Sequence, residues 1–291
     1  MDFGRLIAAM VTPFDANLQI DWDQTGKLID YLIEEQANDS LVICGTTGES
    51  PTLTEEEKLQ LFAFAVKHAN GRCKIIAGTG SNDTAHSIHL SKEAEKLGVD
   101  ALLLVAPYYN RPSQEGLYQH YKAIAEAVSV PCILYNVPGR TGININVDTT
   151  IRLSQIPNIV ATKDCADLDQ LTQIVNGAAE GFRVYSGEDN MTLPVLAIGA
   201  YGIVSVASHV IGKDMKNMIN CYLQGNVREA AQIHARLHPI FKGLFECPHR
   251  VPNPTAVKHA LNVKGMQVGG LRLPLMNVTE EEGLFIASLF E

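Results

Sequence analysis

The sequence predicts a (β/α)8 TIM barrel followed by a C-terminal helical extension, and three observations lead to this fold class. Eight short apolar runs alternate with eight longer amphipathic segments over about 220 residues. Beyond residue 224 the strand-like runs stop and three helical patterns remain. Apolar residues make up 46% of the 291-residue chain, enough to fill a large core.

The eight predicted strands are apolar on both faces, as parallel strands are when helices cover one side and a core covers the other. In chain order they are 6–11, 40–44, 73–78, 100–106, 131–136, 158–163, 182–187 and 202–207. An open doubly wound sheet would show the same alternation. Eight near-equal units without a G-x-G-x-x-G pattern favour the closed barrel.

The predicted helices combine amphipathic spacing with capping signals. Thr54 precedes three glutamates, and Ser113 precedes another acidic first turn. Helices between the strands are predicted over 23–36, 55–69, 84–97, 115–128, 147–154, 167–178, 190–199 and 210–223, and those of the extension over 226–245, 254–262 and 279–290. We therefore divide the chain into a barrel domain, residues 1–223, and a C-terminal helical domain, residues 224–291.

Composition and charge exclude several classes of protein. A net charge of −9 leaves no basic face for nucleic acid. No apolar run reaches the length of a membrane-spanning helix, and the N-terminus does not resemble a signal peptide. The six cysteines lie far apart without a C-x-x-C pair, which is typical of free thiols in a reducing compartment. We expect a cytoplasmic protein that binds small molecules and neither nucleic acid nor membranes.

Lys163 is the most informative residue for function. It ends the apolar run NIVAT, and functional side chains of β/α barrels lie at the carboxyl ends of the strands. Burial there disfavours the ammonium form, and a neutral amine can attack a carbonyl to form an imine. The alternative for this residue alone is a lysine that extends its amine from a strand end into solvent.

Three hydroxyl groups are predicted near this amine, on Thr46, Tyr109 and Tyr135. Tyr135 ends the strand that precedes the strand of Lys163, so the two side chains can share one cavity. Imine chemistry requires proton transfers, which a phenol beside a second hydroxyl can carry out. Each tyrosine alone could equally be a core or interface residue, but the combination with Lys163 indicates a proton relay.

Two further features could bind carboxylates. The turn GTTGES at 45–50 offers backbone N–H groups, although a tight turn without a ligand is the alternative. Arg140, in the predicted loop after the fifth strand, offers a guanidinium group, although a surface arginine is equally consistent with its position. A metal site is not expected, because His86 and His89 have no evident third ligand.

In their order and spacing, these motifs resemble the dihydrodipicolinate synthase family of the pyruvate-dependent class I aldolases, which also include N-acetylneuraminate lyase. The matching stretches, spread over essentially the whole chain, are GTTGES, YYNRPSQEGLYQHY, LYNVPGRTG, ATKD, SGED and GIVSV. The resemblance implies a Schiff-base condensation of pyruvate with L-aspartate 4-semialdehyde to 4-hydroxy-tetrahydrodipicolinate, the first committed step toward lysine and diaminopimelate. It implies no cofactor, because the lysine itself supplies the electrophile.

The resemblance also implies roles for eight residues. Lys163 would form the Schiff base with pyruvate, and Tyr135 would shuttle protons at that imine. Thr46 would link Tyr135 to Tyr109, which in the family enters from a neighbouring subunit. A homo-oligomer, usually a tetramer built as a dimer of dimers, would then complete the site. The substrate-binding positions would be Thr47 for the pyruvate carboxylate, Arg140 for the aldehyde's carboxylate, and Gly187 and Val204 along the pocket.

Two alternatives stay open. Another aldolase of the superfamily, such as N-acetylneuraminate lyase, would share Lys163 and Tyr135. It would resemble GSTGE rather than GTTGE, however, and would lack Arg140 as placed here. A catalytically silent small-molecule sensor would have lost the lysine or the tyrosine, and this chain has both.

The resemblance also bears on inhibition by L-lysine. The inhibitor cleft of lysine-sensitive relatives corresponds here to Ser50, Glu55, Lys58, Asn82, His86 and Tyr108. Strongly inhibited relatives have a glutamate at position 86 that pairs with a ligand ammonium, whereas this chain has His86. Lys58 adds a cation that repels such a ligand, and Glu55 compensates only in part. We therefore expect weak inhibition or none.

Overall fold

The computed structural model describes residues 2–291 and contains a closed barrel of eight parallel strands, in which β8 pairs with β1. The strands are β1 Leu6–Ala9, β2 Ser40–Ile43, β3 Lys74–Gly78, β4 Ala101–Val105, β5 Cys132–Asn136, β6 Ile159–Asp164, β7 Arg183–Ser186 and β8 Gly202–Ser205. The predicted fold class is therefore confirmed and the open sheet is excluded. β1 ends two residues earlier than predicted, and β6 continues one residue further.

A helix follows each strand of the barrel, and three further helices form the C-terminal extension. Those of the barrel are α1 Trp22–Glu34, α2 Glu55–Ala69, α3 Thr84–Lys96, α4 Gln114–Ala127, α5 Pro138–Thr141, α6 Val147–Leu153, α7 Leu168–Gly177, α8 Thr192–Ala197 and α9 Ser208–Leu223. Those of the extension are α10 Val227–Glu246, α11 Thr255–Val263 and α12 Glu280–Ser288. All eleven predicted helices are found. The unpredicted α5 is a single turn with proline at its first position, and it carries Arg140, which the sequence had placed in a loop.

Side-chain caps explain where several helices begin. The Thr54 hydroxyl accepts a hydrogen bond from the Glu57 amide, and the Glu57 carboxylate accepts one from the Thr54 amide, which forms a capping box at α2. Thr279 and Glu282 form the same box at α12. The Ser113 hydroxyl caps α4, so the predicted starts of α2 and α4 are confirmed to within one residue.

Apolar side chains form two layers around the strands. The inner layer fills the barrel and includes Ile7, Val42, Ile76, Leu103, Ile133, Ala161, Tyr185 and Val204. The outer layer lies between strands and helices, and residues of the extension such as Phe241, Leu261 and Ile286 belong to it. The extension thus packs on the barrel through a shared core.

The structure also bears on the cysteines and on membrane segments. All six cysteines are free thiols, as predicted. Within residues 2–291, no helix combines the length and apolar character needed to span a bilayer.

Candidate active site

The ends of β5 and β6 bring Tyr135 and Lys163 together inside the barrel. The two residues are partners in the parallel register. Lys163 lies two residues after the inward-facing Ala161, so strand alternation also directs its side chain inward. Tyr135 is 5% exposed and Lys163 is 6% exposed. The Lys163 Nζ lies 4.3 Å from the centroid of the Tyr135 ring, so the amine rests on the face of the phenol.

Thr46 lies near the hydroxyl of this phenol. Its Oγ1 is 3.5 Å from the Tyr135 hydroxyl, the upper limit for a hydrogen bond. The turn that presents Thr46 is tight: Cys44 and Glu49 both adopt left-handed φ angles of 57°, and the Glu49 amide donates to the Thr46 carbonyl.

Gly187 leaves the space that the Lys163 side chain occupies. A β-carbon at position 187 would lie 2.9 Å from Lys163 Cε and would overlap the sulfur of Cys165. The Gly187 amide donates to the Asp164 carbonyl at 3.0 Å, which fixes this backbone against the end of β6. Burial raises the pKa of the Cys165 thiol to about 12, so this sulfur is a neutral neighbour of the amine rather than a nucleophile.

Thr47 and Val204, two further residues expected to bind substrate, are both buried. Val204 is 2% exposed and belongs to the same inner cluster as Tyr135. Thr47 is equally buried, and its Oγ1 accepts a hydrogen bond from Asn253 Nδ2 at 2.9 Å. Because a hydroxyl can accept and donate at once, this contact leaves the Thr47 proton for another acceptor.

A cavity of about 600 Å³ opens beside Thr46 and Tyr135. Arg140 lines it, together with five of the six residues named above for the inhibitor cleft: Ser50, Lys58, Asn82, His86 and Tyr108. The sixth, Glu55, pairs instead with His86 at 3.5 Å and with His89 at 3.0 Å. The mouth of the barrel and this cleft are therefore one continuous cavity. Tyr135 lines this cavity, whereas Lys163 lies behind the Tyr135 ring and does not line it.

The mouth also contains a carboxyl group to which the sequence analysis gave no role. Glu188 follows Gly187 and is exposed. The groups around its carboxyl nevertheless desolvate it in part and, together with the neighbouring Asp189, raise its pKa, while Lys163 and Arg140 act in the opposite direction. Arg140 itself is exposed on α5, and within residues 2–291 its guanidinium has no ion-pair partner. A cation and a carboxyl group thus flank the entrance.

Tyr109 lies apart from the other predicted site residues. Its side chain is 90% exposed, and its φ angle of 71° is unusual for a bulky residue. Within a single chain Tyr109 therefore does not join Thr46 and Tyr135. The role that the resemblance implies for it, in a neighbouring subunit, stays a prediction.

The contribution of the C-terminal extension to this site was not predicted from the sequence. Besides Asn253, Lys258 on α11 reaches the turn after β2, where its Nζ lies 2.9 Å from Glu49. The local sequence gives little signal, since Lys258 lies between Val257 and His259 on α11. The described part of the chain has no group of three or more His, Cys, Asp or Glu residues that could hold a metal ion.

The chain is similar to known proteins over nearly its whole length. The model of the dihydrodipicolinate synthetase family matches residues 2–290. The 4-hydroxy-tetrahydrodipicolinate synthases of Bacillus velezensis and Bacillus subtilis are each 53% identical to this chain over 290 residues. The matched residues cover 99% of this chain in both cases, 99% of the Bacillus velezensis enzyme and 98% of the Bacillus subtilis enzyme. The crystal structure of dihydrodipicolinate synthase from Bacillus anthracis has a TM-score of 0.96 and 52% identity, covering 99% of this chain and 98% of that one. A lysine-bound relative from Cyanidioschyzon merolae has a TM-score of 0.95 and 42% identity, covering 99% of this chain and 97% of that one.

Proposed function

The chain belongs to the dihydrodipicolinate synthetase family, and we propose that Lys163 is the residue on which its reaction takes place. That reaction is the condensation of pyruvate with L-aspartate 4-semialdehyde to 4-hydroxy-tetrahydrodipicolinate in lysine biosynthesis. The observation that supports Lys163 is its amine, buried at the end of β6 against the face of Tyr135. Among the eight barrel strands, β6 alone has a lysine in its C-terminal half.

The steps follow from imine chemistry. The Lys163 amine attacks the keto carbon of pyruvate, and loss of water gives an iminium ion, which withdraws electrons from the adjacent methyl group. Removal of a methyl proton gives an enamine, whose carbon attacks the aldehyde and forms the new carbon–carbon bond. The amine of the second substrate then attacks the iminium carbon, which closes the ring and releases Lys163. Tyr135, with Thr46 beside its hydroxyl, carries the protons that these steps transfer.

The carboxylates of the two substrates have separate binding groups in this proposal. Thr47 and the backbone of its turn bind the carboxylate of pyruvate, and the available Thr47 proton supports this. Arg140 binds the carboxylate of the aldehyde, since its unpaired guanidinium lines the cavity. Gly187 and Val204 form the wall around the imine.

We further infer a homo-oligomer, with the tetramer that is usual in the family as the expected form. Its support is Tyr109, which is exposed in one chain and held in an unfavourable backbone conformation. In this arrangement the Tyr109 hydroxyl extends the proton relay of a neighbouring subunit. A cytoplasmic location is consistent with six free cysteines.

Consumption of L-aspartate 4-semialdehyde in the presence and absence of pyruvate tests the proposed reaction. We expect consumption that depends on pyruvate. Release of pyruvate from N-acetylneuraminate, with no reaction of the semialdehyde, would identify a lyase instead. A chain that binds pyruvate and turns over neither compound would be a sensor.

A further inference from the structure

We propose that the C-terminal extension positions Thr46 through a buried ion pair between Glu49 and Lys258. Glu49 lies in the turn after β2, and Lys258 lies on α11, 209 residues further along the chain. Their side chains are 0% and 1% exposed. The inference rests on the proposed function, because the role of Thr46 in proton transfer belongs to it.

The hydrogen bonds of this pair are complete. The Lys258 ammonium donates to the Glu49 carboxylate, to the Thr12 carbonyl at 2.9 Å and to the Gly270 carbonyl, which accounts for its three protons. The second carboxylate oxygen of Glu49 accepts the Arg272 amide at 3.0 Å. Buried charges are tolerated when they are paired and hydrogen-bonded in this way, and the full set of partners holds both side chains in one arrangement.

The turn that carries Thr46 requires such support. Two of its non-glycine residues, Cys44 and Glu49, adopt left-handed φ angles, which persist only where surrounding contacts impose them. The Glu49 amide donates to the Thr46 carbonyl at 3.1 Å, so a change in the backbone at Glu49 moves Thr46. The contact between Thr46 and Tyr135 is already at 3.5 Å, so a small displacement of Thr46 breaks it.

Neighbouring contacts hold the same turn. Asn253 donates to the Thr47 hydroxyl at 2.9 Å, and the Thr12 hydroxyl donates to the Gly48 carbonyl at 2.7 Å. Thr12 in turn receives a hydrogen bond from Lys258. Three consecutive residues of the turn are thus tied to the extension, directly or through Thr12.

A purely stabilising role explains this pair less well. Buried ion pairs can often be replaced by apolar residues without loss of stability. Neither Glu49 nor Lys258 lines the cavity beside Tyr135, so neither is placed to contact a substrate there. What the pair does determine is the conformation of the turn that ends at Glu49, and both residues are therefore positioning residues.

The double variant Glu49→Gln/Lys258→Met tests the proposal, because it removes both charges together and leaves no unpaired ion. We expect kcat to fall about 10- to 100-fold, since a displacement of about 1 Å in a relay group costs on that order. The KM for aspartate semialdehyde should stay near the wild-type value, because Arg140 is untouched. Adding Thr46→Val should reduce kcat less in this variant than in the wild type, since both changes affect one relay.

Lys216→Met is the matched control. Lys216 pairs with Asp39 before the start of β2, at the opposite end of the barrel, with side chains 26% and 27% exposed. This variant should unfold at a lower temperature and keep its kcat. If the double variant does not fold, Glu49→Asp serves instead, because it keeps the charge and shortens the side chain by one methylene. The same loss of kcat is expected from it.

Wild-type kcat in a folded double or Glu49→Asp variant would overturn the proposal. The proposal would also be overturned if Thr46→Val lowered kcat in the double variant by as large a factor as in the wild type. Failure of the proposed function gives a different result, because it would show in the wild-type protein as the absence of a Lys163 adduct with pyruvate.

Discussion

Replacement of Gly187 by alanine tests how closely the structure confines the reactive amine. A β-carbon at this position lies 2.9 Å from Lys163 Cε and overlaps the Cys165 sulfur. Non-bonded carbons rest at about 3.5–4.0 Å, so Lys163 Cε must move by about 0.6–1.1 Å. Both contacted atoms belong to side chains rather than to the backbone. We therefore expect the barrel to fold and the amine to shift.

A misplacement of about 1 Å in a well-oriented site lowers the rate on the order of 10²-fold. We expect the kcat of Gly187→Ala to fall by about this factor, and the pyruvate adduct to form more slowly than in the wild type. Steady-state turnover gives kcat. Mass spectrometry after borohydride reduction at timed intervals gives the rate of adduct formation.

Gly139→Ala is the matched control for this experiment. A β-carbon at Gly139 meets no atom within 4 Å, although the residue lies at the same end of the barrel, so kcat should not change. Adding Cys165→Ala to Gly187→Ala removes the overlapping sulfur and should restore part of the lost kcat. Wild-type kcat and adduct rate in Gly187→Ala would refute the idea that position 187 confines the amine.

Three further predictions concern the proton relay, substrate binding and inhibition by lysine. Tyr109→Phe should lower kcat by about 10²- to 10⁴-fold despite the exposure of Tyr109 in one chain, and an unchanged kcat would make it only an interface residue. Arg140→Ala should raise the KM for aspartate semialdehyde more than that for pyruvate in steady-state assays, and equal effects would place its guanidinium elsewhere in the reaction. L-lysine should inhibit weakly or not at all in a titration, because Lys58 and His86 line the cleft and Glu55 is already paired with His86. Strong saturable inhibition at sub-millimolar lysine would show that this charge argument is wrong.

The barrel and the central pair of side chains were predictable from local patterns. Short strands apolar on both faces, alternating with capped amphipathic helices, predict the architecture without long-range information. Tyr135 and Lys163 end consecutive parallel strands with the same inward alternation, so their proximity follows from the fold.

Other features depend on contacts that local patterns do not contain. The helix α5 has only four residues, too few for an apolar periodicity, so the sequence did not reveal that Arg140 lies on a helical turn. Lys258 finds its partner 209 residues away, and only the folded chain shows that it reaches the turn of Glu49. The role proposed for the exposed Tyr109 depends on a neighbouring subunit, whose contacts are not contained in the local patterns of one chain.

The central claim is that pyruvate forms an imine with Lys163. The most direct measurement is the intact mass of the protein after incubation with pyruvate and reduction by borohydride, compared between the wild type and Lys163→Ala. We expect the mass increment of one reduced pyruvate adduct on the wild type and no increment on the variant. An equal increment on Lys163→Ala would contradict it, since another amine would then carry the substrate.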